Sequence, residues 1–343
     1  MKKLLNTLYV TTEDSYLALE GENVLVLKDD ATLLRLPLHT LEAILYFGYK
    51  GASPALMGAC AKRGVRLSFL TPSGRFLAAA CGENCGNVVL RREQYRLADD
   101  PRQSARIARG FILGKVYNAR WMLERAARDH ALRVDTARLK QASAVLGEAL
   151  AQIEACLELE SLRGLEGACA ERYIDVFDEL VLQNKDVFRF DKRSRRPPLD
   201  PMNALLSFTY TLLSHDCASA LEGVGLDPYV GFLHRDRPGR MSLALDLMEE
   251  LRGVMAERFC LTLINNRVVR DRDFETLENG AVYLSEKSRK AVLGAWQERK
   301  REQIVHPFLA EKMAWGLVPH AQAMLLARYL RGDLDAYPPF FWK

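Results

Sequence analysis

Leu97-Ala98-Asp99-Asp100-Pro101 is where the spacing of the chain changes, and the fold turns on this stretch. Asp100 can accept hydrogen bonds from the first free N–H groups of a helix, and Pro101 suits the first helical position because it has no N–H to leave unpaired. Beyond it apolar residues recur at helical spacing, and Arg102, Arg106 and Arg109 share one helical face. Helices are predicted over roughly 101–130, 134–160, 162–184, 201–222, 242–260 and 284–303. Upstream the period is two. Tyr16, Ala18, Glu20, Val24, Val26 and Lys28 alternate with Leu17, Leu19, Leu25 and Leu27 across a turn at Glu20-Gly21-Glu22-Asn23, as half-buried strands do. Leu33, Leu34 and Leu36 carry the pattern to Pro37, and residues 39–49 read as a strand with a helical turn. Ser53 and Pro54 open a short helix that Gly64 ends, and strands over 65–70 and 75–80 are joined by Thr71-Pro72-Ser73-Gly74. The expected fold class is α+β: a small N-terminal β-sandwich-like domain over residues 1–96, a linker at 97–101, and a larger all-α domain over 102–343.

The 343 residues are about two domains' worth of chain. Hydrophobic residues make up 49% and charged residues 27%, which supports a packed core and excludes disordered, collagen-like and low-complexity classes. Forty-eight Lys and Arg against 44 Asp and Glu leave +4, so a role with polyanions depends on where the charge is bunched. Seven scattered cysteines suggest reduced thiols, and Cys81 with Cys85 lacks the second pair or nearby His that zinc would need. The start imitates a signal peptide only as far as Asn6 and has no cleavage site, and no apolar run is long enough for a membrane helix. A soluble, cytoplasmic protein with no membrane partner is expected.

The charge is bunched between Lys185 and Arg196, where six basic and two acidic residues are interleaved with Phe188 and Phe190 and closed by Pro197-Pro198. Lys192, Arg193, Arg195 and Arg196 are candidate phosphate contacts, with a solvated basic loop as the competing reading. Arg102, Arg106 and Arg109, like Lys287, Arg289 and Lys290, read as exposed helix faces.

Three places hold hard metal ligands in unusual company. Glu166 lies among Gly164, Gly167, Ala168 and Ala170; helices normally avoid glycine, so small residues here suggest a close approach to the backbone, or else tight helix packing with Glu166 in a salt bridge. His234 ends the apolar stretch that starts at Gly225 and precedes Arg235-Asp236-Arg237-Pro238-Gly239-Arg240. A third helix carries Asp246, Glu249 and Glu250 on an arc beside the stripe Leu247, Met248, Leu251, Val254 and Met255. Carboxylates at such spacings repel one another and call for a cation, unless they form an ordinary acidic face. Together they would make a mostly oxygen site with one imidazole, better suited to Mn²⁺ or Mg²⁺ than to Zn²⁺. Such an ion binds a phosphodiester oxygen and activates a hydroxyl nucleophile.

Five stretches, in this order, resemble the CRISPR-associated endonuclease/integrase, the universal first protein of the spacer-acquisition module, and within it the type I-C branch. They are Gly86–Tyr95, Leu165–Ala168, Arg196–Phe208, Gly225–His234 and Ser242–Leu251. The resemblance implies a β domain followed by a helical catalytic domain, a homodimer with the β domains at or near its contact, and a small ferredoxin-like CRISPR adaptation partner. It implies metal-dependent insertion of foreign DNA fragments, the spacers, into a CRISPR array. A 3′-hydroxyl attacks the repeat phosphodiester by transesterification, and hydrolysis of branched DNA is the same chemistry with water. The DNA would be double-stranded, branched or with 3′ overhangs.

Carried over residue by residue, Glu166 and His234 match the first two metal ligands and Glu249 the third, with Asp246 in a supporting role. Many relatives have Asp where Glu249 stands, and Asp246 or Glu250 could share its role. Arg163 and Arg240 are candidate phosphate contacts from their position beside the ligands. The competing reading is a non-catalytic DNA-binding scaffold subunit of the adaptation complex. Trp296, Trp315 and Pro338-Pro339-Phe340-Phe341-Trp342 are read as core rather than a docking surface.

Overall fold

The computed structural model describes residues 7–29, 31–72, 76–80 and 88–343. In chain order the first elements are β1 (Thr7–Val10), β2 (Tyr16–Glu20), β3 (Asn23–Lys28), β4 (Ala31–Pro37), β5 (Ala43–Phe47), α1 (Pro54–Arg63), β6 (Arg66–Leu70) and β7 (Phe76–Ala80). Helices α2 (Val88–Asp99), α3 (Pro101–Asp129), α4 (Thr136–Ala155), α5 (Leu159–Phe177), α6 (Lys185–Phe188), α7 (Pro201–Gly223), α8 (Ser242–Leu251) and α9 (Arg258–Asn265) follow. The remainder is β8 (Phe274–Thr276), β9 (Val282–Leu284), α10 (Glu286–Arg301), β10 (Gln303–Val305), β11 (Lys312–Ala314) and α11 (Val318–Leu330). The chain divides into two units, one of residues up to Cys85 with Leu284–Glu302, the other of Gly86–Tyr283 with Gln303–Lys343.

In the first unit the alternating leucines and valines form β2-β3-β4, an antiparallel sheet that pairs Leu17 with Val26 and Glu20 with Asn23. The second sheet runs β1-β5-β6-β7 and is mixed: β5 lies parallel to both β1 and β6, and β7 is antiparallel to β6. A parallel neighbour needs a crossover, and α1 supplies it between β5 and β6. Ser53 caps α1 by accepting from the Leu56 N–H at 3.2 Å, Pro54 opens it, and Gly64 closes it in the left-handed conformation. Val10, Ile44 and Leu67 of one sheet share a core with Leu17, Val24 and Val26 of the other and with Leu56 and Cys60 of α1.

Three expectations change. Residues 97–101 are not a linker. Leu97–Asp99 finish α2, and the Asp100 carboxylate accepts from the N–H groups of Arg102 at 2.8 Å and Gln103 at 3.3 Å to start α3. Leu90 and Gln94 are buried four residues apart on α2, a helical spacing that the strand reading of 1–96 passed over. The helix expected over 284–303 belongs to the strand-bearing unit, where the Gln297 amide donates to the Thr7 carbonyl of β1 at 3.2 Å. The second unit is mainly helical but carries two hairpins, β8-β9 and β10-β11. Met1–Asn6, Ser73-Gly74, Cys81, Cys85 and Gly86-Asn87 lie outside the described residues.

The second unit is built around α3, which packs on α4, α5 and α8. The helix expected over 242–260 is interrupted: α8 passes into a π-helical turn, Arg252–Glu257, before α9. An extra residue in a turn rotates everything beyond it, which is why such turns recur at functional sites. Trp315 and Phe340 are buried with ring centroids 5.9 Å apart, as the core reading of the aromatic tail expects, while Phe341 is 37% exposed. At Gly114 of α3 a Cβ would stand 2.7 Å from the Glu250 Cβ of α8. Gly114→Ala is therefore expected to destabilise the protein by about 1–3 kcal/mol in urea unfolding. Gly294→Ala in α10, where nothing lies within 4 Å, is expected to stabilise it by about 0.5–1 kcal/mol.

Candidate active site

Glu166 projects from the middle of α5. Gly164 and Gly167 have open space where a Cβ would be, so the small residues on either side of Glu166 do not face a neighbouring helix. His234 ends the loop between α7 and α8, and the loop is tied down at several points. The fully buried Gln94 of α2 donates to the carbonyls of Asp227 and Val230, both at 2.8 Å, and accepts from the Asp227 N–H at 2.9 Å. Arg163, one turn before Glu166, donates through Nε at 2.8 Å and through Nη2 to the Leu233 carbonyl, immediately before His234.

Asp246 completes the loop's anchorage. Its Oδ2 accepts from the N–H groups of Phe232 at 2.6 Å and Leu233 at 2.9 Å, and its Oδ1 from the His234 N–H at 2.9 Å and His234 Nδ1 at 2.6 Å. A Cβ at Gly231 would meet Asp246 Oδ2 at 2.8 Å, so only glycine lets the loop wrap this carboxylate. Both Asp246 oxygens are engaged and the side chain is fully buried. The carboxylate therefore acts on the imidazole, fixing a proton on Nδ1 and leaving Nε2 as the free lone pair.

Glu249 lies one turn further along α8. Lys115 of α3 donates to Glu166 Oε1 and to Glu249 Oε2, the latter at 2.7 Å. Arg252 Nη1 sits 3.2 Å from each Glu249 oxygen, and its Nε reaches Glu257 at 3.2 Å. Burial alone would raise the Glu249 carboxyl, but Arg252, Lys115 and His234 hold it well below the ordinary carboxylate range. Glu257 in turn accepts from Tyr210 at 2.6 Å and Tyr173 at 2.9 Å, and burial followed by the Glu257 charge pushes both phenols up.

Glu250, left open as a third ligand, faces away. It accepts from Tyr337, from Gln322 at 3.1 Å and from the Phe340 N–H at 2.7 Å, and burial pushes its carboxyl up to about 7. Arg193 also departs from expectation. Its guanidinium turns inward to the Ser194 carbonyl at 2.5 Å, Asn203 at 2.6 Å and Ser207 at 2.9 Å, and lies over the Tyr210 ring, so it pins the basic loop to α7 instead of facing solvent. Lys192, Arg195 and Arg196 on the same loop are exposed. Arg240 is partly buried, and burial and then the charges of Arg237, Arg196 and Arg163 lower its pKa. These guanidinium groups therefore crowd one another beside the site.

Glu166 and Glu249 are thus drawn onto one ammonium, with His234 held by Asp246, one helical turn before Glu249. No group of three His, Cys, Asp or Glu is already arranged to hold a metal among the described residues. The donor set fits a hard divalent ion nonetheless: two carboxylates that need a cation between them, and an imidazole whose other nitrogen is already held. Lys115 and Arg252 were not singled out in the sequence. A lysine inside the run Phe111-Ile112-Leu113-Gly114-Lys115-Val116 was the available signal.

A charged site carried by the mainly helical unit of a chain that also has a strand-bearing unit defines a class of proteins, and comparison with known proteins identifies it. Residues 8–298 match the family model described as CRISPR associated protein Cas1. The chain is 52% identical over 343 residues to CRISPR-associated endonuclease Cas1 1 of Chlorobaculum tepidum, covering 100% of both chains. It is 53% identical over 347 residues to CRISPR-associated endonuclease Cas1 2 of Rhodospirillum rubrum, again covering 100% of both. Among solved structures, a casposase bound to its integration product superposes with a TM-score of 0.84 at 21% identity, covering 98% of this chain and 93% of that one. A Cas1 protein from Thermotoga maritima gives 0.82 at 19% identity, covering 97% and 99%. The chain belongs to the Cas1 family.

The Asp246 contact can be read directly. In ¹⁵N spectra of the imidazoles at alkaline pH, His234 is expected to carry its proton on Nδ1 alone. Asp246→Asn should release it into exchange between both nitrogens; an Nε2-protonated ring in the unaltered protein would contradict the assignment.

Proposed function

We propose that this chain is a metal-dependent DNA endonuclease and integrase that inserts foreign DNA fragments into a CRISPR array by transesterification of repeat phosphodiesters. The observation that carries the reading is the convergence of Glu166 and Glu249, from different helices, on one ammonium, near Arg240 with the charges of Arg237, Arg196 and Arg163 around it. Relatives at 52% and 53% identity over the whole chain bear the name endonuclease, and the casposase neighbour is bound to an integration product.

Glu166, Glu249 and His234 Nε2 are the residues that would hold Mn²⁺ or Mg²⁺. Such an ion, when bound, polarises the phosphodiester and lowers the pKa of the attacking hydroxyl. The chain's own groups do the rest. Asp246 fixes the tautomer of His234, and Arg163 holds the carbonyl before it, so the imidazole is aimed before substrate arrives. Arg252 and Lys115 keep Glu249 ionised although it is only 7% exposed. Arg196 and Arg240, with Lys192 and Arg195 beyond them, bind phosphates, and the open side of Gly164 and Gly167 leaves room for a DNA backbone next to Glu166.

The substrate class is double-stranded DNA, branched or with 3′ overhangs. We take a homodimer and a small ferredoxin-like partner as the assembly. A solved Cas6-RT-Cas1–Cas2 complex contains a chain of this fold (TM-score 0.81, 23% identity) and supports a Cas2 partner. The cytoplasm, where DNA is found, is the proposed compartment. No helix of the described residues is long and apolar enough to cross a membrane.

Glu166→Gln and His234→Ala are each expected to lower strand transfer about a hundredfold or more while leaving DNA affinity nearly unchanged. If both variants join DNA normally, the chain is a scaffold and another subunit cuts. DNA affinity should fall steeply with salt, and reversing the charges of Lys192, Arg195 and Arg196 together should flatten the slope by about three phosphates.

A further inference from the structure

Glu166 and Glu249 differ in how well their charges are balanced. Glu249 has Arg252 as well as Lys115, whereas the only hydrogen-bond partner of Glu166 among the described residues is the Lys115 ammonium. That ammonium lies between the two carboxylates and is itself only 13% exposed in its side chain. It reaches them from α3, a third helix, so it is not a neighbour in sequence to either. It also stands at the edge of a cavity of about 40 Å³ lined by Arg252, Glu257, Tyr173 and Tyr210.

We propose that Lys115 is the resident counter-ion of the carboxylate pair, and that a divalent cation can enter between Glu166 and Glu249 only by displacing it. Lys115 would thereby set the metal concentration at which the site fills. The inference rests on the metal reading above and adds a competitor to it. The chemistry follows from three points. A hard divalent ion takes carboxylate oxygens at about 2.0–2.6 Å, which is closer than an ammonium contact, so the two cations need the same space. Two like charges in a poorly hydrated site exclude each other. Lysine is also the cation best able to withdraw, because its charge sits at the end of a flexible four-carbon stem, whereas the planar fork of Arg252 is held at once by Glu249 and Glu257. Without metal, the lysine keeps two carboxylates together that would otherwise repel. With metal, the same carboxylates would draw in around the ion that takes the ammonium's place.

The experiment is Mn²⁺ binding to the full chain without DNA, read from loss of the free Mn²⁺ signal in electron paramagnetic resonance and from the thermal unfolding midpoint with and without Mn²⁺. Lys115→Met, which keeps the stem and removes the charge, is expected to bind Mn²⁺ about tenfold more tightly than the unaltered protein, because no competing cation has to leave. It is also expected to unfold at a lower temperature without metal and to gain more from Mn²⁺. Lys115→Gln gives the same ordering if Lys115→Met folds poorly, and Lys115→Arg should bind Mn²⁺ no more tightly than the unaltered protein. Equal or weaker Mn²⁺ binding by both neutral variants, with Glu166→Gln still abolishing it, overturns the competition and leaves the metal reading standing. Undiminished Mn²⁺ binding by Glu166→Gln overturns both.

Discussion

A helix that buries Asp246, Glu249 and Glu250 within its first three turns must find partners for three carboxylates, and much of the second unit is arranged to supply them. Each carboxylate takes its donors from a different part of the chain. Asp246 is wrapped by the loop that ends at His234, Glu249 receives Lys115 and Arg252, and Glu250 receives the segment Tyr337–Phe340. An unpaired buried carboxylate is so unfavourable that each set of partners becomes obligatory. The loop, the ammonium and the aromatic tail are all positioned by the same helix.

Three adjacent acids consequently do three different things. Asp246, with both oxygens engaged, acts on the histidine. Glu249 stays ionised between Lys115 and Arg252. Glu250, among neutral donors, is pushed towards neutrality and acts as a structural fastener. The π-helical turn Arg252–Glu257 extends the arrangement, because Arg252 then meets Glu249 behind it and Glu257 ahead of it while stacking on Tyr210 at 5.0 Å. Such a buried network contributes more to a defined geometry than to stability.

What could be read from the sequence was local. The cap at Asp100-Pro101, the helix from Ser53 to Gly64 and the β2-β3 hairpin each depend on residues a few positions apart, and the structure has all three. The separation of Asp246 from Glu249 came from the family resemblance and not from spacing, which put both on one arc; the structure shows Asp246 bound to the His234 loop. The role of Glu250 came from neither. Residues at i and i+1 of a helix point about 100° apart, but only the packing of α3 and the tail tells which direction is inward. Arg193 was misread for the same reason: a run of basic residues says nothing about which of them finds Asn203 and Ser207 beneath it. Lys115 could not be paired from sequence, because 51 residues separate it from Glu166 and nothing periodic links them. The boundary at 97–101 was misplaced because a strong helix start was taken for a domain start.

The fastening of Glu250 has a bearing on how the protein is made. Its backbone donor, Phe340, is translated 90 residues after it. At about 5–20 residues per second, the ribosome needs some seconds to span that interval, longer with the exit tunnel included. During that time α8 exists without the partners that seat it, so the helix carrying Glu249 reaches its working position late in biosynthesis. The candidate site is thereby coupled to the synthesis of a segment well downstream of the residues that form it.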